Sequence, residues 1–225
     1  MTLRLAPIAF ALSIASLAPS GHAGVLDFNY TQTQLVTSAS NGLGPLLALG
    51  NGGWISQAYG DVAGLVDMSY RYIDTNGNNT SSFQTWVNGY DELVYVAWNG
   101  SQGGGDRGEV QLASIGGSTV TLNSFSLGSW SGAAGKQETV TVTEIGGGVV
   151  FSQTLLLGVN NLSTTFAINA SSTSGFVIGW TNPWHTAIDN IDSSAAPIPE
   201  PGTWALMGLG LAAVGTMARR RRIGS

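Results

Sequence analysis

The chain contains no cysteine. Disulfides therefore contribute nothing to its stability, and thiol nucleophiles and thiolate metal sites are excluded. Charge is scarce as well: Asp, Glu, Lys and Arg make up 9% of 225 residues. Lysine occurs once, as Lys136, and histidine twice, as His22 and His185. That leaves too few ligands for a zinc site of the usual kind. Between Gly24 and Ala196 the only basic residues are Arg71, Arg107 and Lys136, against twelve acids, a formal charge of −9. The whole-chain value of −5 is raised by arginines at the two ends. So acidic a middle argues against nucleic acid and anionic membrane surfaces as partners, and is compatible with divalent cations.

What the middle lacks, the ends supply. Arg4 precedes an apolar run from Leu5 to Leu17, then Pro19-Ser20-Gly21 and small residues up to Ala23. A short positive end, about a dozen apolar residues and a small-residue site describe a secretory signal peptide over residues 1–23, cut between Ala23 and Gly24 by signal peptidase. At the other end, Pro197-Ile198-Pro199-Glu200-Pro201-Gly202 is a stiff linker, because proline fixes φ and removes a backbone donor. Thr203 to Ala218 follows without a charge, then Arg219, Arg220, Arg221 and Arg222. As a helix the sixteen apolar residues reach roughly 24 Å, and Trp204 with the arginines closes the gap to a hydrocarbon core of about 30 Å. The arginines belong on the cytoplasmic side, which places everything before Pro197 outside.

This three-part tail resembles the PEP-CTERM sorting signal of Gram-negative bacteria: Pro199-Glu200-Pro201, one hydrophobic helix and a basic terminus at residues 219–225. The resemblance implies recognition by an exosortase, cleavage near Pro199–Pro201, and export from a membrane-anchored precursor to the cell surface or the exopolysaccharide. The alternative is an ordinary C-terminal anchor that is never processed.

The intervening residues 24–196 form one domain of a size that buries a core without staples. Strand patterns recur every ten to fifteen residues, and no amphipathic helix interrupts them. Thr139-Val140-Thr141-Val142-Thr143 alternates strictly, and Gly146-Gly147-Gly148 is a hairpin turn into Val149–Leu157. Val120 and Leu122 keep one parity, Phe125 and Leu127 the other, which predicts a bulge or a crossing between sheets at Asn123-Ser124. About ten strands point to an all-β, two-sheet sandwich, jelly-roll-like. Ser118 to Ile191 also resembles the β-sandwich modules of exported bacterial proteins, carbohydrate-binding modules among them. The likeness rests on Thr121-Leu122-Asn123-Ser124-Phe125, Gly175-Phe176-Val177-Ile178 and Ile188-Asp189-Asn190-Ile191. It implies that the last strand lies beside the first, with Asp27 and Asp189 positioned to clasp a structural calcium ion.

Asp74, Asn76 and Asn78 also offer oxygen ligands at alternate positions, as a calcium loop does. Glycine falls at the fourth position and Thr85 at the twelfth, so the pattern departs from an EF-hand, and a plain polar turn is the preferred reading. Trp184 and His185, in a loop before the last strand, are the candidate glycan contact, since aromatic faces stack on sugar rings. Trp54, Trp86, Trp98, Trp130 and Trp180 are assigned to the core or its edges. No nucleophile-elbow motif accompanies His185, and Asp91-Glu92 point to opposite faces if extended. The expectation is a non-enzymatic surface or matrix protein acting in envelope, biofilm or exopolysaccharide structure. A carbohydrate-binding lectin is the alternative and a glycan hydrolase a remote third.

Overall fold

The computed structural model describes residues 21–28, 52–81, 83–99, 107–131, 136–198 and 207–214. Among these residues thirteen strands run in chain order: β1 (His22–Leu26), β2 (Gly53–Trp54), β3 (Val66–Ile73), β4 (Asn79–Ser81), β5 (Gln84–Trp86), β6 (Val96–Trp98), β7 (Arg107–Ser114), β8 (Thr119–Ser129), β9 (Gln137–Glu144), β10 (Val149–Leu156), β11 (Thr164–Ser172), β12 (Gly175–Thr181) and β13 (Thr186–Ala196). They form two antiparallel sheets. The seven-stranded sheet has the order β11-β8-β13-β6-β5-β2, with β1 also on β13; the six-stranded sheet is β10-β9-β12-β7-β3-β4. The chain is an all-β, two-sheet sandwich. The expected alternation at Thr139–Thr143 is β9, the glycine turn leads into β10, and the residues from Val120 to Leu127 lie on one strand, β8.

Period-two patterns place the core. On β9, Val140 and Val142 are fully buried while Thr139, Thr141 and Thr143 face outward. On β3, Met68, Tyr70 and Tyr72 point in, and on β12 Phe176, Ile178 and Trp180 do so. The opposite sheet answers with Leu122, Phe125, Leu127, Ile188 and Ile191. Each such side chain, fully buried, is worth about 1.5–3 kcal/mol, which is how a domain without cross-links stays closed. Trp180 Nε1 donates to Thr186 O, so the largest core ring keeps its polar handle satisfied.

The parity change at Asn123-Ser124 is a bulge. Ser124 lies opposite Asp192 on β13 and Leu122 opposite Ser193, leaving Asn123 unpaired there. Asn190 on β13, with φ of 52°, supplies a compensating bulge between Asp189 and Asp192. The two irregularities let Ile188 and Ile191 both reach the core despite their three-residue spacing. The first and last strands are neighbours, as expected: Leu26 faces Ile191 and Val25 faces Asp192.

Candidate functional site

The chain ends meet in a carboxylate pair. Phe28 N donates to Asp189 Oδ1 at 3.3 Å, and Tyr59 Oη donates to the Asp27 carbonyl. Asp189 is buried, at 2% exposure, while Asp27 Oδ1 is enclosed with no hydrogen-bond partner among the described residues. Burial, reinforced by the negative charge of Asp27, pushes the Asp189 carboxyl up to about 6. Burial and the same two carboxylates also raise the Tyr59 phenol well above its ordinary value. Two acids brought together with one orphan oxygen is an arrangement that a cation relieves. No cluster of three His, Asp or Glu occurs among the described residues, so two carboxylates are all the charge on offer.

The 74–78 segment, for which the sequence favours a plain polar turn over a calcium loop, is a turn closed by its own aspartate. Asp74 Oδ1 accepts from Asn76 N at 2.9 Å and Asn78 N at 2.8 Å, and these hydrogen bonds hold its carboxyl below the usual range. That is the geometry of an Asx turn.

Trp184 and His185 are half-buried, in an aromatic cluster on the outer side of the seven-stranded sheet. The side is fixed by alternation: Ala97 and Ile188 point into the main core, while Trp98 and Ala187 belong to the second cluster. Trp184 meets Trp98 edge-on at 5.1 Å, Trp98 meets Trp86 at 5.0 Å, and Trp86 meets Trp130 at 5.9 Å. Tyr90 Oη anchors the loop by donating to Trp184 O at 2.8 Å. Much of the Trp184 ring thus packs on protein. His185 Nδ1 and the indole nitrogens of Trp86 and Trp98 are enclosed without partners among the described residues. Burial lowers the His185 pKa, with Lys136 adding to the effect. Trp54 departs from its expected place: it is 57% exposed, because β2 is a two-residue edge strand.

Three further acids are engaged structurally. Glu138 accepts from Thr181 Oγ1 at 2.7 Å and from Asn182 Nδ2 at 3.1 and 3.2 Å, tying the 182–185 loop to β9, and burial pushes its carboxyl up to about 7. Asp91 Oδ2 receives Ser129 N at 2.7 Å, and Glu92 receives Ser163 N and Oγ, both at 2.6 Å.

A groove of about 500 Å³ crosses the outer face of the six-stranded sheet. The strand registers build it as a row: Arg71 opposite Glu109, Glu109 opposite Gly179, and Gly179 opposite Thr141. Glu109 lies between two guanidinium groups, with Arg71 Nη2 at 3.1 Å and Arg107 Nε at 2.7 Å. Gly179 leaves the trough open, since a Cβ there would stand 3.1 Å from Thr141 Oγ1. Two of the domain's three basic residues therefore line one groove among Thr139, Thr141 and Thr143. Nothing in the spacing of Arg71 and Arg107 announces this; it follows from the pairing of β3 with β7.

The tail is the last element. Of the expected membrane helix, residues 207–214 are helical and exposed, and no helix among the described residues is long and apolar enough to cross a membrane. Pro199, Glu200, Pro201 and Arg219–Arg222 lie outside the described residues. Residues 197–222 match the family model of the PEP-CTERM protein-sorting motif. The tail is a PEP-CTERM sorting signal. The motif implies an exported protein made as a membrane-anchored precursor and processed by exosortase. Ala23 and Gly24, the expected signal-peptidase site, stand in β1 opposite Ser194 and Ser193; a cut there leaves Gly24–Leu26 on β13.

No curated protein sequence matches the chain. Among solved structures, it is similar to the K2 cleaved adhesin domain of Lys-gingipain, at 16% identity and a TM-score of 0.32, covering 56% of this chain and 89% of that one. It is also similar to the GH26-CBM35 β-(1,4)-mannanase of Podospora anserina, at 15% identity and a TM-score of 0.31, covering 60% of this chain and 28% of the mannanase. At these TM-scores neither neighbour carries information about a ligand.

Proposed function

We propose that the exported domain is a non-enzymatic structural protein of the cell surface or exopolysaccharide matrix, delivered there by its PEP-CTERM signal. The carrying observation is the sorting signal itself, at residues 197–222 beside a β-sandwich. Support comes from the structural engagement of the domain's acids: Asp91 and Glu92 hold backbone amides, and Glu138 holds a loop. Intact mass spectrometry of the protein from cells and medium tests the sorting reading. The expected product begins at Gly24 and ends near Pro199–Pro201, and Glu200→Ala or Pro201→Ala blocks its formation. A product that retains Arg222 and stays in the membrane overturns it.

A second reading, a glycan-binding module, is favoured by the outer groove, where guanidinium, carboxylate and threonine hydroxyl groups line an open trough. Exopolysaccharide from the producing cells is the partner tested. In that reading Gly179→Val, which fills the trough, lowers retention on the polysaccharide at least tenfold, while Trp184→Ala on the opposite sheet leaves it unchanged. The reverse pattern would return the site to Trp184 and His185.

For the chain-end pair we propose a structural calcium ion held by Asp27 and Asp189. Calcium takes roughly six to eight oxygens, so backbone carbonyls and water would complete its shell. The ion would neutralise the enclosed Asp27 oxygen and tie the first strand to the last.

A further inference from the structure

We infer that the free edge of β10 is a self-association surface, through which a second copy of this chain pairs antiparallel and extends the six-stranded sheet across a two-fold axis. Among the described residues β10 is the outermost strand of its sheet, bonded only to β9, so alternate backbone N–H and C=O groups along it face outward. Sheet edges in soluble proteins are ordinarily blunted by charge, proline, short length or a bulge. The other edges among the described residues are blunted in those ways: the expected cut after Ala23 leaves β1 only Gly24–Leu26 on β13. β2 has two residues and β4 three, and β11 is interrupted by a bulge between Ala167 and Ala170, where Asn169 has φ of 53°.

On β10 the pairing with β9 is unbroken from Phe151 to Leu156, with its one irregularity at the Val149 end. The segment Val149–Leu156 contains no charge, no proline and no glycine. Around it the surface is apolar: Val149, Val150, Leu156, Val159 and Leu162 are each between 46% and 62% exposed.

Charge selects the occupant. The domain carries −9, so two copies repel over most of their surface, yet Gly146–Ser163 has no ionisable side chain at all. Two copies can approach there without setting like charges against each other. An antiparallel strand meeting its own copy is self-complementary, and a two-fold contact closes at the dimer.

The test uses the processed protein recovered from the cells, by sedimentation velocity over a concentration series. The wild type is expected to double its mass, and Gln153→Lys with Thr154→Lys, which sets four like charges across the axis, to remain monomeric. Because the protein has no cysteine, single replacements Ser152→Cys, Gln153→Cys and Thr154→Cys report the contact directly. At least one forms a disulfide-linked dimer on oxidation, while Thr165→Cys on β11 does not. A wild type that stays monomeric at the highest concentration reached overturns the inference. So does a dimer that survives the double lysine variant, or one cross-linked through β11.

Discussion

Replacing Gly175 with alanine is expected to destabilise the domain by about 4 kcal/mol or more. Gly175 opens β12 with φ of +98°, a backbone conformation that side chains with a Cβ rarely adopt. The added carbon would lie inside the contact shell of the Leu112 carbonyl, 2.9 Å from its carbon and 3.0 Å from Ala113 Cα. These neighbours are backbone atoms of the central strand β7, paired with β12 on one side and β3 on the other. They cannot move without breaking two ladders. The same glycine is the hub of the turn before it: its N–H donates to Ser172 Oγ at 3.0 Å, and its carbonyl accepts from Ile145 N at 3.0 Å. Ser172 Oγ in turn donates to Glu144 Oε1 at 2.6 Å. Strain and lost hydrogen bonds together cost about 4 kcal/mol or more, a large part of the roughly 5–15 kcal/mol that holds a domain folded. Gly148→Ala is the control, since nothing lies within 4 Å of a Cβ there; its urea midpoint should match the wild type. A Gly175→Ala protein with the wild-type midpoint would show that β7 and β12 are not packed as described.

The second large effect concerns Asp189. An acid whose pKa is raised by folding binds its proton more tightly in the native state, so stability falls as pH rises from its ordinary value through its native one. For Asp189 the window runs from about 4 to about 6. Glu138, raised to about 7, acts in the same direction over a window reaching neutrality. In the presence of chelator the domain should therefore be more stable at pH 5 than at pH 7.5. The Asp189 share of that difference is about 1.4 kcal/mol, because its shift spans about two pKa units at 1.36 kcal/mol each and about one of them is already lost by pH 5. Asp189→Asn removes that share: the chelated variant should be about 1–3 kcal/mol more stable than wild type at pH 7.5, with the slope that remains belonging to Glu138. Calcium should raise the wild-type melting temperature at pH 7.5, since an ion bound only by the native state stabilises it by mass action. The variant should show no such rise. Wild-type stability that is flat or climbing between pH 4 and 7 would refute the buried-carboxylate account. Equal calcium responses from wild type and variant would refute the clasp alone.

How much was legible beforehand depends on the distance over which each feature is encoded. The sorting tail is written in consecutive residues, Pro199-Glu200-Pro201, an apolar run and four arginines, so it is readable without any fold. The strands are encoded at spacing two: the alternation of Thr139–Thr143, the glycine turn at 146–148 and the slipped parity at Asn123 each specify local geometry that packing then respects. Those features determined the all-β sandwich and which side chains of its strands face inward or outward. Trp86, Trp98, Trp130 and Trp180 pack in the core or against it as expected and Trp54 does not, because a large apolar residue prefers burial without specifying whether the fold grants it. Trp98 lies under a covering loop, whereas Trp54, on a two-residue edge strand, does not.

The sites belong to the tertiary structure. Phe28 N and Asp189 Oδ1 meet across 161 residues of sequence, and the orphan oxygen of Asp27 exists only because β1 returns to β13. The groove needs four strands in one register to bring Arg71, Glu109, Gly179 and Thr141 into line. The open edge of β10 depends on which strand the topology leaves outermost. By itself the sequence determined that the protein carries an export-sorting signal and that it is built from strands, since both are written at short range. Which carboxylates share a charge, which ring is covered and which edge stays bare were decided by long-range strand pairing, because burial and electrostatics act through distances in space.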